Sequence, residues 1–299
     1  MAGILKRIVK WTVVGVGTLV LAVAILLAVA WAHSERALQR SYAVADPPLP
    51  IPSDPARIDH GGHLFATRGC AECHGAQGEG RMLFDAGPII RLVPPNITPA
   101  ALAGRYDDVG LAAAIRHGVR PDGTPLVFMP SQDFAELGDD DTAALIAYLR
   151  ALPPSDNDPG RTELRIGARV LYLLGDFPLT PAEHIDHAPR ARVIPAVAAT
   201  ATYGAYVART CTSCHRADYT GGIALGPGAP PSANLTPRPE GLGGWTEADF
   251  VRALREGVRP DGRKLDPLMP VAMTAAMTDT ELAALWAYFS SLPPRPTPR

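Results

Sequence analysis

Two stretches of this 299-residue chain match each other in order at nearly constant spacing, and that duplication limits its fold more than any other feature. Cys70-Ala71-Glu72-Cys73-His74 returns as Cys211-Thr212-Ser213-Cys214-His215, an offset of 141. Asn96-Ile97-Thr98-Pro99 returns as Asn234-Leu235-Thr236-Pro237 at 138, and Gly118-Val119-Arg120-Pro121-Asp122-Gly123 recurs from Gly257 to Gly262 at 139. Met129-Pro130 returns as Met269-Pro270, and Ala147-Tyr148 with Leu152-Pro153-Pro154 as Ala287-Tyr288 with Leu292-Pro293-Pro294, both at 140. Offsets that wander by only three residues imply one duplicated domain with small loop changes. At about 100 residues a copy, these are two globular domains and not a solenoid of short repeats. The copies are expected over 56–154 and 200–299, joined by a connector over 155–199.

What precedes the repeat reads as a membrane anchor. Lys6, Arg7 and Lys10, in a basic N-terminus over 1–10, stand before an uncharged run from Trp11 to Ala32. Its 22 residues span about 33 Å as a helix, enough to cross a hydrocarbon core. The basic flank puts the N-terminus in the cytoplasm and the rest of the chain outside. A cleaved signal peptide competes, with Ala30-Trp31-Ala32 as its small-residue site. The run exceeds the roughly 7–15 residues of a signal core, so the uncleaved anchor is preferred. Residues 33–55 are rich in proline (Pro47, Pro48, Pro50, Pro52, Pro55) and read either as a semi-rigid stalk or as a loop packed on the first domain. Net charge is −2, with no basic excess for phosphates, which argues against a nucleic-acid partner.

The repeated domains read as helical. Tyr106 to His117 and Trp245 to Glu256 are matched helices, each stopped by a glycine, Gly118 and Gly257. Thr246 and Asp249 have capping-box spacing. Leu111, Ala114 and Ile115 form an apolar stripe matched by Phe250, Ala253 and Leu254. Closing helices run from about Asp141 to Ala151 and from about Asp279 to Ser291, each ended by a Pro-Pro pair. Arg165 to Leu174 reads as a short apolar helix in the connector, expected to pack between the domains. No run alternates with period two, so strands are not expected.

All four cysteines fall in the two C-x-x-C-H pentapeptides, the pattern of c-type haem attachment. Two thiols add to the two vinyl groups on one haem edge, and the adjacent histidine turns under the ring to bind iron. A redox-active Cys-x-x-Cys pair or a zinc half-site also has this spacing, but zinc needs four converging ligands, and here each pair sits in its own repeat. A structural disulfide is allowed outside the cytoplasm, yet it gives no reason for the histidine to appear twice.

On these residues, both halves resemble class I cytochrome c domains, with C-x-x-C-H near the start and a Met-Pro loop before the last helix. The match covers roughly Pro55 to Pro154 and Thr200 to Pro294. The whole resembles membrane-anchored dihaem cytochromes c of bacteria, including cytochrome subunits of periplasmic alcohol and sugar-acid dehydrogenases. The resemblance implies an all-α chain, an N-terminal transmembrane helix followed by two tandem class I cytochrome c domains, on the periplasmic face of the cytoplasmic membrane. It implies two covalently attached haem c groups, held through Cys70 and Cys73 and through Cys211 and Cys214. His74 and His215 would bind iron, with a methionine opposite each, which raises the potential relative to two histidines. Of six methionines only Met129 and Met269 are paired in the repeat, 55 and 54 residues beyond their histidines. Met1 begins the chain, Met82 has no counterpart, and Met273 and Met277 fall opposite Asp133 and Leu137. Met129 and Met269 are therefore the expected ligands, with Met273 in reserve.

The implied function is single-electron transfer from a periplasmic donor, such as a dehydrogenase, to a membrane oxidase or other respiratory acceptor, with no catalytic residue. The competing class is a haem enzyme with one open iron site, acting on peroxide or a small sulfur or nitrogen compound. Two retained Met-Pro loops argue against it. None of His33, His60, His63, His117, His184 and His187 is repeated, so surface or loop roles are expected for them. His184 and His187 are three apart, but Pro181 and Pro189 bracket them and a metal site there is disfavoured. Asn96 and Asn234 open N-x-T triplets, read as loop formers near the haem edge and not as glycosylation acceptors. Arg120 and Arg259 suit either haem propionates or the turn they begin. Residues 56–154 carry 8 arginines and 12 acids, against 10 basic and 9 acidic residues over 200–299. That acidic excess reads as a surface for a basic partner or as helix N-termini.

Overall fold

The computed structural model describes residues 2–224 and 228–298, so Met1 lies outside the described residues. A single helix, α1 (Ala2–Leu38), opens the chain. Domain 1 runs through α2 (Pro55–Thr67), α3 (Cys70–His74), α4 (Pro99–Leu102), α5 (Asp108–His117), α6 (Ser131–Phe134) and α7 (Asp139–Ala151). The connector holds α8 (Ile166–Leu174) and a 3-10 turn, Pro181–His184. Domain 2 repeats the plan with α9 (Ala201–Val207), a 3-10 turn at Ala208–Cys211, α10 (Thr212–His215), α11 (Glu247–Glu256), α12 (Val271–Ala275) and α13 (Asp279–Ser291).

The repeated helices begin and end where their local chemistry says they should. Asp107 Oδ1 accepts from the Gly110 N–H (2.7 Å) to start α5, and Gly118 ends it at φ 64°. The capping box of Thr246 and Asp249 forms at α11, which stops at Gly257 with φ 65°. In each domain the first and last helices cross through a glycine. A Cβ on Gly61 would stand 2.0 Å from the Ala144 carbonyl oxygen, and one on Gly204 1.9 Å from that of Ala284. Around these crossings lie two cores, one with Phe65, Leu111, Ile115, Ile146 and Leu149, the other with Tyr203, Phe250, Leu254, Leu285 and Phe289.

Three expectations change. First, domain 1 and the connector share a small antiparallel sheet, β1 (Phe84–Asp85), β2 (Ile90–Leu92) and β3 (Glu163–Leu164), in that order. Strands of two or three residues are too short to show alternation. Second, of the two readings of the proline-rich stretch, the structure takes the loop packed on the first domain over the semi-rigid stalk. The Tyr42 N–H donates to the Gly123 carbonyl (2.9 Å), and Leu49 and Ile51 pack on the core. Asp46 accepts from Arg192 (2.6 Å) and pairs with His117 Nε2 at 3.0 Å, so His117, expected at the surface, is fully buried.

Third, α8 packs against α1 and not between the domains. Every residue from Ala2 to Val29 is exposed, whereas Ala30, Ser34 and Ala37 are buried. Ala168, also fully buried, lies on the facing helix. Arg169 donates to Ser34 Oγ (2.6 Å) and Glu35 Oε2 (3.2 Å), and its guanidinium carbon stands 5.7 Å from the Trp31 ring centroid. His33 stacks on Tyr172 with ring centroids 5.1 Å apart. Small residues on one helix admit the other. By length and composition α1 can cross a membrane.

Candidate functional site

The first motif is the short helix α3, and the second runs from the end of the 3-10 turn at Cys211 through α10, so that in each two thiols and an imidazole fall within five helical residues. Gly69 (φ 80°) and Gly75 (φ 85°) bracket α3, letting the chain enter and leave it sharply. The position equivalent to Gly75 in domain 2 is Arg216, which adopts φ 66° while its Nε donates to the Gly221 carbonyl (2.7 Å). None of the four cysteines is in a disulfide. Burial, with each partner thiol adding to it, pushes Cys70 up to about 12; burial and the nearby Asp133 charge do the same to Cys211.

The two histidines are oriented alike. His74 Nδ1 lies 2.9 Å from the Pro95 carbonyl oxygen, and His215 Nδ1 lies 2.7 Å from that of Ala233. A carbonyl only accepts, so Nδ1 carries the proton in both rings and Nε2 keeps its lone pair. Burial holds both imidazoles below their ordinary pKa, favouring that neutral form. An acceptor on the far ring nitrogen, as here, fixes the tautomer and orientation that a metal-binding histidine needs.

In domain 1, His74, Cys73 and Met129 line one cavity of 920 Å³, within the roughly 300–1,000 Å³ of cofactor pockets. Its other walls include Leu102, Leu111, Ile115 and Leu149, with Arg105 and Arg120 at polar edges. In domain 2, Met269 and Cys211 pack against the core that holds Phe250 and Leu254. Each Met-Pro loop is tied down by a matched backbone contact and by a hydroxyl drawn from a different loop position in each copy. The Ser131 N–H donates to the Met129 carbonyl (2.8 Å) and the Val271 N–H to that of Met269 (2.8 Å). Ser131 Oγ reaches the Ala114 carbonyl (3.0 Å) and Thr274 Oγ1 that of Leu254 (2.7 Å). Two thiols, a correctly oriented histidine and a sulfur-bearing loop around an apolar cavity fit a thioether-linked haem. They do not fit zinc, because among the described residues no three His, Cys, Asp or Glu side chains converge as a metal cluster.

The duplicated asparagines are clamps. Asn96 Oδ1 accepts from the Thr98 N–H (2.9 Å) and hydroxyl (2.8 Å), while Nδ2 donates to the Ser155 (2.7 Å) and Asn157 (3.0 Å) carbonyls. Asn234 does the same with Thr236 and the Arg295 carbonyl. Both amides are spent on holding the loop beside the histidine to the end of the domain. Arg120 donates to the Pro125 carbonyl across its own turn while it lines the cavity. His187 turns its Nδ1 to His117 Nδ1 (3.0 Å), away from the exposed His184.

Several contributors were not visible in the sequence. Phe128, just before Met129, adopts φ 64°, a costly conformation for a bulky residue. Its N–H donates to the Leu179 carbonyl (3.2 Å), and its ring meets Phe177 and Phe84 at 5.8 and 6.5 Å. The domains also meet at the motifs through reciprocal contacts. From domain 1, Asp133 accepts from Thr212 (2.8 Å) and Ser213 (2.5 Å) inside the second motif. From domain 2, Met273 places its sulfur against Gly69, next to Cys70, 3.2 Å from where a Cβ would stand. Asp133 and Met273 are the same position in the two copies. Beside them, Tyr206 donates to Asp141 (2.5 Å) and His63 pairs with Glu281 (2.8 Å), again matched positions exchanged between domains.

The cytochrome c family matches residues 58–153 and 201–293. A dihaem c-type cytochrome of Cereibacter sphaeroides is 27% identical over 277 residues, 82% of this chain and 91% of the relative. The cytochrome c subunit of a quinone alcohol dehydrogenase of Gluconobacter oxydans is 41% identical over 95 residues, 29% of this chain and 20% of the subunit. The gluconate 2-dehydrogenase cytochrome c subunit of Pantoea cypripedii is 36% identical over 95 residues, 29% of this chain and 22% of the subunit. The matched stretch thus spans about a fifth of the length of these dehydrogenase subunits.

Proposed function

Since the chain belongs to the cytochrome c family, with both halves matched, we propose that it is a membrane-tethered dihaem electron carrier. It takes single electrons from a periplasmic dehydrogenase, of the alcohol- or sugar-acid-oxidising kind its relatives serve, and delivers them to a membrane oxidase or other respiratory acceptor. The observation that carries this is the twinned orientation of His74 and His215, each Nδ1 proton directed at a loop carbonyl. Haem c, when bound, supplies a one-electron iron couple. Cys70, Cys73, Cys211 and Cys214 would hold it covalently, with His74 and Met129 on one iron and His215 and Met269 on the other. The Pro95 and Ala233 carbonyls fix each imidazole's tautomer and orientation. Leu102, Leu111, Ile115 and Leu149 give the domain 1 cavity a largely apolar wall, and backbone hydrogen bonds pin both Met-Pro loops. The reciprocal contacts at Asp133 and Met273 hold the two motifs together, so that an electron entering at one site leaves by the other.

The test is spectroscopic. Oxidised and reduced spectra with a haem stain of the denatured chain should give two covalent haems, and the reduced protein should not bind carbon monoxide. Met129→Ala and Met269→Ala should each open one site to carbon monoxide while the haem stays attached. Carbon monoxide binding by the unaltered protein would favour a haem enzyme. A variant whose iron spectrum did not change would remove that methionine from the ligand set.

A further inference from the structure

The C-terminal end of α1 does more than tether. Leu38, its last residue, lines the same cavity as His74 and Met129. The uncharged run ends at Ala32, and six residues of helix cover about 9 Å. The domain 1 cavity therefore begins within about 10 Å of the hydrocarbon boundary. Helix α8 lies at that same level, because Arg169 stands over Trp31, a pairing of types that favour the membrane–water interface.

The face of α8 turned away from α1 is apolar. Ala168, Arg169 and Tyr172 point at α1, whereas Ile166, Val170, Leu173 and Leu174 fall at i, i+4, i+7 and i+8 on another stripe. Ile166 is 41% exposed and Leu174 63%, with Val170 and Leu173 half-buried between them. Phe84, 40% exposed, precedes Asp85, which accepts from Arg165 at the start of α8 (2.6 Å), and leads through Phe128 to the Met129 loop. Arg36 and Arg40, both exposed, follow the uncharged run where phosphates would lie. An apolar stripe continuous with a spanning helix and rimmed by cations matches the headgroup–acyl boundary.

We propose that domain 1 docks on the bilayer surface through the outer stripe of α8 and Phe84, which makes its site the membrane-side site and leaves domain 2 to meet the aqueous partner. This rests on the tethering described under Proposed function. The contacts of residues 30–46 named above all fall on domain 1 and the connector, which sets the order of the two sites relative to the membrane.

The test uses the full-length, haem-loaded protein in phosphatidylethanolamine–phosphatidylglycerol vesicles, with a benzophenone amino acid at Leu174, at Val20 or at Leu268. Leu268 is 51% exposed in domain 2 at the position equivalent to Phe128. Illumination should give lipid adducts at 20 and 174, with at least tenfold less at 268, read by mass spectrometry. Adducts at 20 alone, equal yields at 174 and 268, or capture of a second copy at 174 would overturn the docking while leaving the tether. No adduct at 20 would remove the tether and the docking with it.

Discussion

Asp133 is 7% exposed and spends both carboxylate oxygens on hydroxyls of the second motif. Burial pushes its pKa up to about 6, although the Ser213 and Thr212 hydrogen bonds pull the other way. The folded value therefore lies above the unfolded one, so the folded chain holds the extra proton between about pH 4 and 6. Asp133's own contribution is greatest below that window and falls as pH rises through it, by up to about 3 kcal/mol. Asp133→Asn should flatten the fall, read as denaturant midpoints of the haem-loaded protein from pH 4 to 7. An undiminished slope would assign it to another group. Little of this was legible in the chain: the motif residues declared themselves, but Asp133 stood only as the odd counterpart of Met273. The asparagines were read as loop formers because they recur before proline, and their amides do clamp the loops.

Helices with strong local signals formed where the chain said. The Thr246–Asp249 box, Gly118 and Gly257, and the Pro-Pro ends all act within a few residues of themselves. The crossing of first and last helices depends instead on a missing side chain. Gly204→Ala would drive a methyl into the Ala284 carbonyl oxygen, and Gly61→Ala would do so at Ala144. Each should cost about 3 kcal/mol or more, since the helices must part to admit it. Gly17→Ala, with nothing within 4 Å, is the control and should be neutral. Thermal or denaturant melting compares the three; equal stability would mean that the crossings yield without strain. The short sheet and the place of α8 were not legible, because two-residue strands have no period and an apolar helix does not name its neighbour.

At the scale of the molecule, the two copies hold each other through exchanged contacts. Burial alone would raise Glu281, yet the His63 hydrogen bond, the Arg68 charge and the Thr278 N–H hold its carboxyl at about 2. The folded value lies below the unfolded one, so this contribution is present above about pH 4.5 and fades as pH falls toward 2. Arg68, 4% exposed, faces Glu281 Oε1 at 3.4 Å. Glu281→Gln leaves that cation buried without its counter-charge and should cost about 3–5 kcal/mol at neutral pH. Chemical denaturation of the haem-loaded protein measures it, and a loss below about 1 kcal/mol would mean that the pair is open in solution.

By itself the amino-acid order determined whatever acts over short stretches of chain: two thiols and an imidazole within five residues, caps, glycine stops and an uncharged run of membrane-crossing length. Their duplication carried the family as well. Only the tertiary structure decided what joins distant residues. His63 meets Glu281 across 218 positions, His117 is buried against Asp46, and Leu38 closes the wall of a cavity built by another domain element. Local patterns follow from backbone geometry over a few residues, whereas such contacts follow from how whole surfaces match, which no short run of sequence records.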